Sequence, residues 1–113
     1  SRRDCLMVVS DYKGHRISNA MEFTRTYRLL TGGDFLKDLK NLKESEDVTS
    51  FYCNLYFSFR KAGENNLTID DYDKVIDEVD FLELADPSSE FYSAIGKMLT
   101  PSKKAAADLT KTL

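Results

Sequence analysis

The stretch that decides the fold covers residues 47–63 and reads DVTSFYCNLYFSFRKAG. Its apolar residues recur at helical spacing, so we predict a helix that begins at Asp47 or Thr49 and runs to about Lys61. Gly63 follows at a position where glycine commonly ends helices. A helix on the surface of a small domain needs a single apolar stripe, and this sequence provides more than that.

The main apolar face of this helix is wide when the residues are placed at about 100° each. It is formed by Val48, Phe51, Tyr52, Leu55 and Phe59. Tyr56 lies beside this face, whereas Cys53 and Phe57 point to the other side. The helix is therefore apolar nearly all the way round.

Two arrangements would bury such a helix. In the first, the helix is central and the other helices enclose it. In the second, part of it contacts another chain, because a large exposed aromatic patch is uncommon on a stable monomer and usually marks a binding site. The residues nearest that contact would be Phe51, Tyr52, Tyr56, Phe57 and Phe59. Among them, Tyr56 and Phe57 are expected at the surface, so that Phe57→Ser would leave the monomer folded.

Two short helices are predicted before this one. Phe23, Tyr27 and Leu30 share one face of the first, and Gly32-Gly33 ends it. Asp34 is placed to cap the second. One side of this second helix is formed by Phe35, Leu36, Leu39 and Leu42.

Two further helices are predicted after it. Thr68 and Asp71 resemble a capping box and open a helix that ends at Asp86-Pro87. Its predicted buried stripe consists of Tyr72, Val75, Ile76, Val79 and Leu82. Ser88 or Ser89 caps the last helix, whose apolar residues are Phe91, Tyr92, Ile95, Met98 and Leu99.

The start of the chain has the pattern of a β-hairpin. An apolar run at residues 6–9 is followed by turn-forming residues at Asp11–Gly14, and apolar residues resume over residues 15–23. Residues 18–21 read SNAM, which also resembles the residues that a recombinant expression vector leaves before a start Met. On that second interpretation the natural chain begins at Met21, and residues 1–20 are partly foreign.

These elements predict a mostly α-helical (α+β) fold, in which a short N-terminal β-hairpin is followed by about five short helices in a compact bundle. The 113 residues suit one domain, which we place at residues 1–100. Residues 101–113 are predicted to form a basic C-terminal tail or a docking helix, because they have helical propensity but little apolar surface to bury.

The net charge of −3 is unevenly distributed along the chain. Residues 64–90 carry ten acidic residues and a single Lys, whereas residues 1–33 and 91–113 are each net basic. The acidic segment would repel phosphate, which argues against a nucleic-acid partner. Two interpretations of this segment remain: a solvated helix face, or a surface that pairs head to tail with a basic part of another copy.

The two cysteines, Cys5 and Cys53, are far apart and lie on predicted apolar elements. We interpret them as buried free thiols in a reducing compartment. No apolar run approaches the ~18–20 residues that a membrane span needs. We therefore expect a soluble, cytoplasmic protein that does not contact a membrane.

The sequence offers no convergent set of catalytic residues. His15 is the only histidine, and its place beside a predicted turn is typical of a surface residue. Two Cys and one His fall short of the four ligands of a structural zinc site. The segment from Phe59 to Tyr72 has the helix–loop–helix order of an EF-hand but lacks the first oxygen ligand and the central glycine of the loop. We predict that the protein is not an enzyme and holds no metal or cofactor.

The order of the elements resembles the tail assembly chaperones of long-tailed bacteriophages. Residues 23–28 (FTRTYR) are similar to that family's F-x-x-x-Y/L-R pattern, which lies on the helix after an N-terminal hairpin. Residues 47–52 (DVTSFY) resemble the start of the next helix, and residues 67–80 resemble the family's loop, Leu-Thr and acidic helix. The resemblance covers residues 17–100 as a pattern, and the aromatic density from Phe51 to Phe59 exceeds what the pattern requires.

This resemblance implies a non-enzymatic, non-structural viral protein that acts in the host cell cytoplasm. Such a chaperone self-associates, coats the hydrophobic helical tape measure protein, keeps it soluble and helps recruit tail tube subunits. The aromatic residues of the predicted third helix would supply a groove for the client helix. The alternative is a monomeric acidic adaptor or regulatory module that binds a basic protein partner, with an affinity that falls steeply with salt.

Overall fold

The computed structural model describes residues 7–42 and 45–99, with the backbone alone for residues 45–47. The elements within these residues are β1 (Val9–Tyr12), β2 (His15–Ser18), α1 (Glu22–Thr31), α2 (Phe35–Lys40), α3 (Ser45–Gly63), a 3₁₀ turn (Ile69–Asp71), α4 (Tyr72–Asp77), α5 (Phe81–Ala85) and α6 (Glu90–Leu99). The predicted mostly α-helical fold with an N-terminal hairpin is confirmed. Cys5 and the tail predicted over residues 101–113 lie outside the described residues.

The hairpin is antiparallel and closes through a turn of two residues. Lys13 and Gly14 both have positive φ, 51° and 80°, as a type I′ turn requires. Because this turn is tighter than predicted, Asp11 belongs to β1 and not to the turn. Tyr12 and Ile17 are fully buried, so one face of the hairpin packs against the helices.

Local capping fixes the connection between α1 and α2 as predicted. Gly32 ends α1 with a φ of 74°, and its amide donates a hydrogen bond to the Arg28 carbonyl at 2.7 Å. The Asp34 carboxylate accepts a hydrogen bond from the Leu36 amide at 2.9 Å and so caps α2. The ring of Phe35, the first residue of α2, lies 4.9 Å from that of Phe23, which holds the two helices together.

α3 is the central helix of the fold. On one side the Phe23 ring of α1 lies 4.8 Å from Phe59, and on another the Tyr12 ring of β1 lies 5.6 Å from Tyr56. The core around α3 consists of Tyr12, Ile17, Phe23, Tyr27, Phe51, Leu55, Tyr56, Phe57, Phe59, Val75, Phe91, Ile95 and Met98. Of the two arrangements that would bury this helix, central enclosure is the one observed.

The end of α3 lies directly against the hairpin. A Cβ atom on Gly63 would overlap the carbonyl of Arg16 and stand 2.9 Å from the amide nitrogen of Ile17. Because these are backbone atoms, they cannot rotate away as a flexible side chain would. Gly63 therefore does more than end the helix, since it allows β2 to pass close to α3.

The single helix predicted over residues 68–86 is divided in two. Its start is confirmed, because Thr68 and Asp71 form a capping box around the 3₁₀ turn. Asp80, however, has extended backbone and caps a new helix, α5, by accepting a hydrogen bond from the Leu82 amide at 2.9 Å. The predicted burial of Leu82 is wrong: its side chain is 73% exposed, because the break at Asp80 interrupts the periodicity on which the prediction depended.

Candidate protein-binding surfaces

The aromatic residues predicted to contact a partner lie mostly inside the core. Phe51, Tyr56, Phe57 and Phe59 are buried, and Tyr52 is half-buried. The expectation that Tyr56 and Phe57 lie at the surface is wrong, because neighbouring elements cover both sides of α3. The Phe57 ring lies 5.3 Å from that of Tyr72 at the start of α4.

Tyr52 is the member of this set that keeps some contact with solvent. Its ring lies 4.9 Å from that of Tyr92 and 6.3 Å from that of Phe91, both on α6. α3 therefore offers little surface to another protein.

A buried arginine that sequence reasoning missed joins three parts of the fold. Arg60, on α3, is 3% exposed, and its guanidinium contacts the carboxylates of Glu64 at 3.3 Å and Glu78 at 3.2 Å. His15 of β2 lies 3.4 Å from each of the same two carboxylates and is partly exposed. The Nε atom of Arg60 has no hydrogen-bond partner among the described residues. We interpret this cluster as a structural link between β2, α3 and the end of α4.

A second cluster sets the orientation of α5. The Tyr12 hydroxyl donates a hydrogen bond to the Glu83 carboxylate, and Lys13 Nζ lies 2.7 Å from the same group. The hydrogen bonds from Lys13 and Tyr12 lower the pKa of Glu83, while burial raises that of Tyr12, so the carboxylate accepts and the phenol donates at neutral pH. With Glu83 held against the hairpin, Phe81 and Leu82 on the other side of α5 face the solvent.

The first candidate surface, the α5 surface, is acidic with an apolar centre. It consists of Asp77, Asp80, Phe81, Leu82 and Asp86, all of them exposed. The side chains of Phe81 and Leu82 are 69% and 73% exposed. Sequence reasoning missed this surface, although the spacing of Asp80 and Glu83 matches a capping box and could have indicated a helix start.

The second candidate surface, the α1–α2 surface, is basic with an apolar centre. It consists of Arg25, Arg28, Leu29, Leu36, Leu39 and Lys40, all of them exposed. The three residues of each helix fall at i, i+3 and i+4 and so share one helical face. Leu29 and Leu36 are 75% and 53% exposed. Leu39, which is 38% exposed, adds a third large aliphatic side chain on these two consecutive helices.

The two surfaces lie on opposite sides of α3. The Tyr27 ring of α1 packs 6.0 Å from Phe51, on one side of α3. Glu78, between α4 and α5, contacts Arg60, which is nine residues after Phe51 and therefore about 180° around the helix from it. The α5 surface and the α1–α2 surface consequently cannot meet within one chain.

An open cleft of about 260 Å³ lies between α1, α2 and α3. Its lining includes Tyr27, Thr31, Asp38, Asn41, Leu42, Ser50, Phe51 and Asn54. The Tyr27 hydroxyl donates to the Asp38 carboxylate at 2.6 Å, so these two polar groups are occupied with each other. The volume is below the roughly 300–1,000 Å³ of typical small-molecule sites, and we interpret the cleft as a packing groove between helices.

The remaining chemical candidates do not form a site in the described part of the chain. Cys53 is buried, and burial raises the pKa of its thiol, which therefore stays protonated and packs as a small apolar group. The interpretation of Cys53 as a buried free thiol is confirmed. Over residues 7–42 and 45–99, no group of three or more His, Cys, Asp or Glu is placed to hold a metal ion.

Comparison with protein-family models, with curated proteins and with solved structures finds no match for this chain. None of the helices in the described ranges combines the length and the apolar character that crossing a membrane requires.

Proposed function

We propose that the protein is a non-enzymatic assembly chaperone of the phage tail type, which self-associates and binds a hydrophobic helical client such as a tape measure protein. The resemblance over residues 17–100 supports this proposal at the level of sequence pattern. The observation that carries it is the α1–α2 surface, where Leu29, Leu36 and Leu39 are exposed on two adjoining helices. The place of action would be the host cell cytoplasm.

The α1–α2 surface has the chemistry that an amphipathic client helix requires. Such a helix docks through apolar residues at i, i+3, i+4 and i+7 against a patch of aliphatic side chains. Leu29 and Leu36 supply that patch, and contact with a client would remove their exposed area from water. Arg25, Arg28 and Lys40 form a polar rim of the kind that surrounds the apolar centre of protein interfaces.

Replacing both Leu29 and Leu36 with serine is expected to weaken client binding at least about tenfold, which corresponds to about 1.4 kcal/mol. Both side chains are exposed, so the fold should be unchanged. The measurement is fluorescence anisotropy with a labelled amphipathic peptide taken from a tape measure protein. Val9→Ser is the matched control, because Val9 is also exposed but lies on the hairpin. Equal affinity of the double variant and the wild type would refute the assigned surface.

A second candidate function, the monomeric adaptor for a basic partner, is favoured by the α5 surface. Its carboxylates would attract a basic peptide, and Phe81 and Leu82 would add apolar contact. Salt separates the two functions, because screening weakens a charge-driven contact far more than an aliphatic one. Client affinity that is nearly constant between low and high salt supports the chaperone, whereas a steep fall supports the adaptor.

A further inference from the structure

We propose that the α5 surface of one copy docks on the α1–α2 surface of a second copy, so that chains associate head to tail. This inference deepens the proposed function in one respect: the surface that a neighbouring copy covers is also the one proposed to receive the client. Copy and client would then exclude each other at that surface. The aliphatic side chains would be protected from water while no client is bound.

Charge complementarity supports this pairing. The α5 surface presents Asp77, Asp80 and Asp86, and the sequence has no Lys or Arg from residue 75 to residue 96. The α1–α2 surface presents Arg25, Arg28 and Lys40 around its apolar centre. Complementary potentials orient two proteins during encounter, while like charges placed opposite each other are repelled. Two α5 surfaces would therefore not pair with each other.

The apolar centres of the two surfaces also match in kind. Phe81 and Leu82 are consecutive, exposed residues on a short helix of five residues. Leu29, Leu36 and Leu39 are exposed aliphatic side chains on two consecutive helices. An aromatic side chain inserted among aliphatic residues is a common centre of binding energy in protein interfaces.

The position of the surfaces determines the kind of assembly. Because they lie on opposite sides of α3, each chain offers one surface to the copy before it and the other to the copy after it. A contact between two different patches is heterologous, and it produces a ring or an open filament rather than a closed two-fold dimer.

The test uses two full-length variants that each lack one surface. One carries Phe81→Ser with Leu82→Ser, and the other carries Leu29→Ser with Leu36→Ser. At a concentration where the wild type is assembled, each variant alone should have the mass of one chain by light scattering. An equimolar mixture should give a 1:1 dimer and nothing larger, because one intact α5 surface meets one intact α1–α2 surface. Circular dichroism confirms that both variants are folded, and Val9→Ser serves as the control that still assembles.

Several outcomes would overturn the inference. These are a mixture that stays monomeric, a variant that still assembles alone, and a wild type that is monomeric at every concentration. The basic C-terminal segment, which carries Lys103 and Lys104, is an alternative binding partner for the α5 surface. If Lys103→Glu with Lys104→Glu abolishes assembly while the Leu29 and Leu36 variant assembles normally, that segment and not the α1–α2 surface binds α5. No client is present in this experiment, so a mixture that stays monomeric or a variant that still assembles alone would refute the assigned surfaces and leave client binding to its own peptide test. A wild type that is monomeric at every concentration would also remove the self-association from the proposed function.

Discussion

Phe57→Ser is expected to lower the free energy of unfolding by several kcal/mol. The Phe57 side chain is fully buried against Tyr72, and replacing it leaves a cavity that costs about 3–5 kcal/mol. The serine hydroxyl would add the cost of a buried polar group without a partner, roughly 1–3 kcal/mol. Proteins of this kind are stable by about 5–15 kcal/mol in total, so a loss of this size removes a large part of the stability.

The matched control is Phe81→Ser, which makes the same chemical change on a side chain that is 69% exposed. At a dilution where the wild type is a single chain, so that loss of the α5 surface contact does not enter the comparison, this variant should lie within about 0.5 kcal/mol of the wild type. Surface substitutions away from special contacts have small effects. Urea unfolding followed by circular dichroism measures the free energy of unfolding of both variants. If Phe57→Ser were as stable as Phe81→Ser, Phe57 would not be a core residue and the central position of α3 would be incorrect.

Gly63→Ala is expected to destabilise the protein by about 1–3 kcal/mol, the range for forcing extra atoms into a packed interior. The added methyl would overlap the Arg16 carbonyl, so either β2 or the end of α3 must shift. That shift would also disturb the ion pairs that Arg60 makes with Glu64 and Glu78. Thermal unfolding should show a lower midpoint for this variant.

Gly96→Ala provides a control of opposite sign. Gly96 lies within α6, and a Cβ atom there would meet nothing within 4 Å. Alanine in a helix interior is favoured over glycine by roughly 0.5–1 kcal/mol, so this variant should be more stable than the wild type. A stabilised Gly63→Ala variant, or two variants that shift in the same direction, would contradict the close approach of β2 to α3.

Features that depend on a few neighbouring residues could be predicted from the sequence. Gly32 and Asp34 were correctly assigned to the end of α1 and the start of α2, because each acts on backbone groups within four residues of itself. The capping box of Thr68 and Asp71 is local in the same way. The hairpin could be predicted from the turn-forming residues around Gly14, although its strands begin and end at slightly different residues than predicted.

The role of the aromatic helix could not be decided from the sequence alone. An all-round apolar helix is compatible with enclosure by its own chain or with contact to another, and the choice depends on how the other elements close around it. The structure shows that α4 covers the Phe57 side and that β1 and α6 cover the Tyr56 side. The contact between Tyr12 and Tyr56 joins residues 44 positions apart, and helical periodicity contains no information on such pairs.

The candidate surfaces were not predicted from the sequence, for a different reason. Val79 and Leu82 continue the apolar spacing of α4. Because this helical spacing extends across Asp80, the apolar pattern does not indicate that the helix ends before that residue. Once the helix is divided, Leu82 lies on the solvent side together with Phe81. The burial of Arg60 was missed as well, because its partners Glu64 and Glu78 become neighbours only when α4 folds back along α3.

Self-association through exposed apolar surfaces is the central claim, and the solution mass tests it most directly. Light scattering should be recorded on the wild-type protein over a dilution series, at low and at high salt. We expect a mass of several chains that decreases on dilution and persists in part at high salt, because the contact combines screened charges with an apolar centre. A mass equal to the 12.9 kDa of one chain at every concentration and both salts would contradict the claim, and it would leave the monomeric adaptor as the better function.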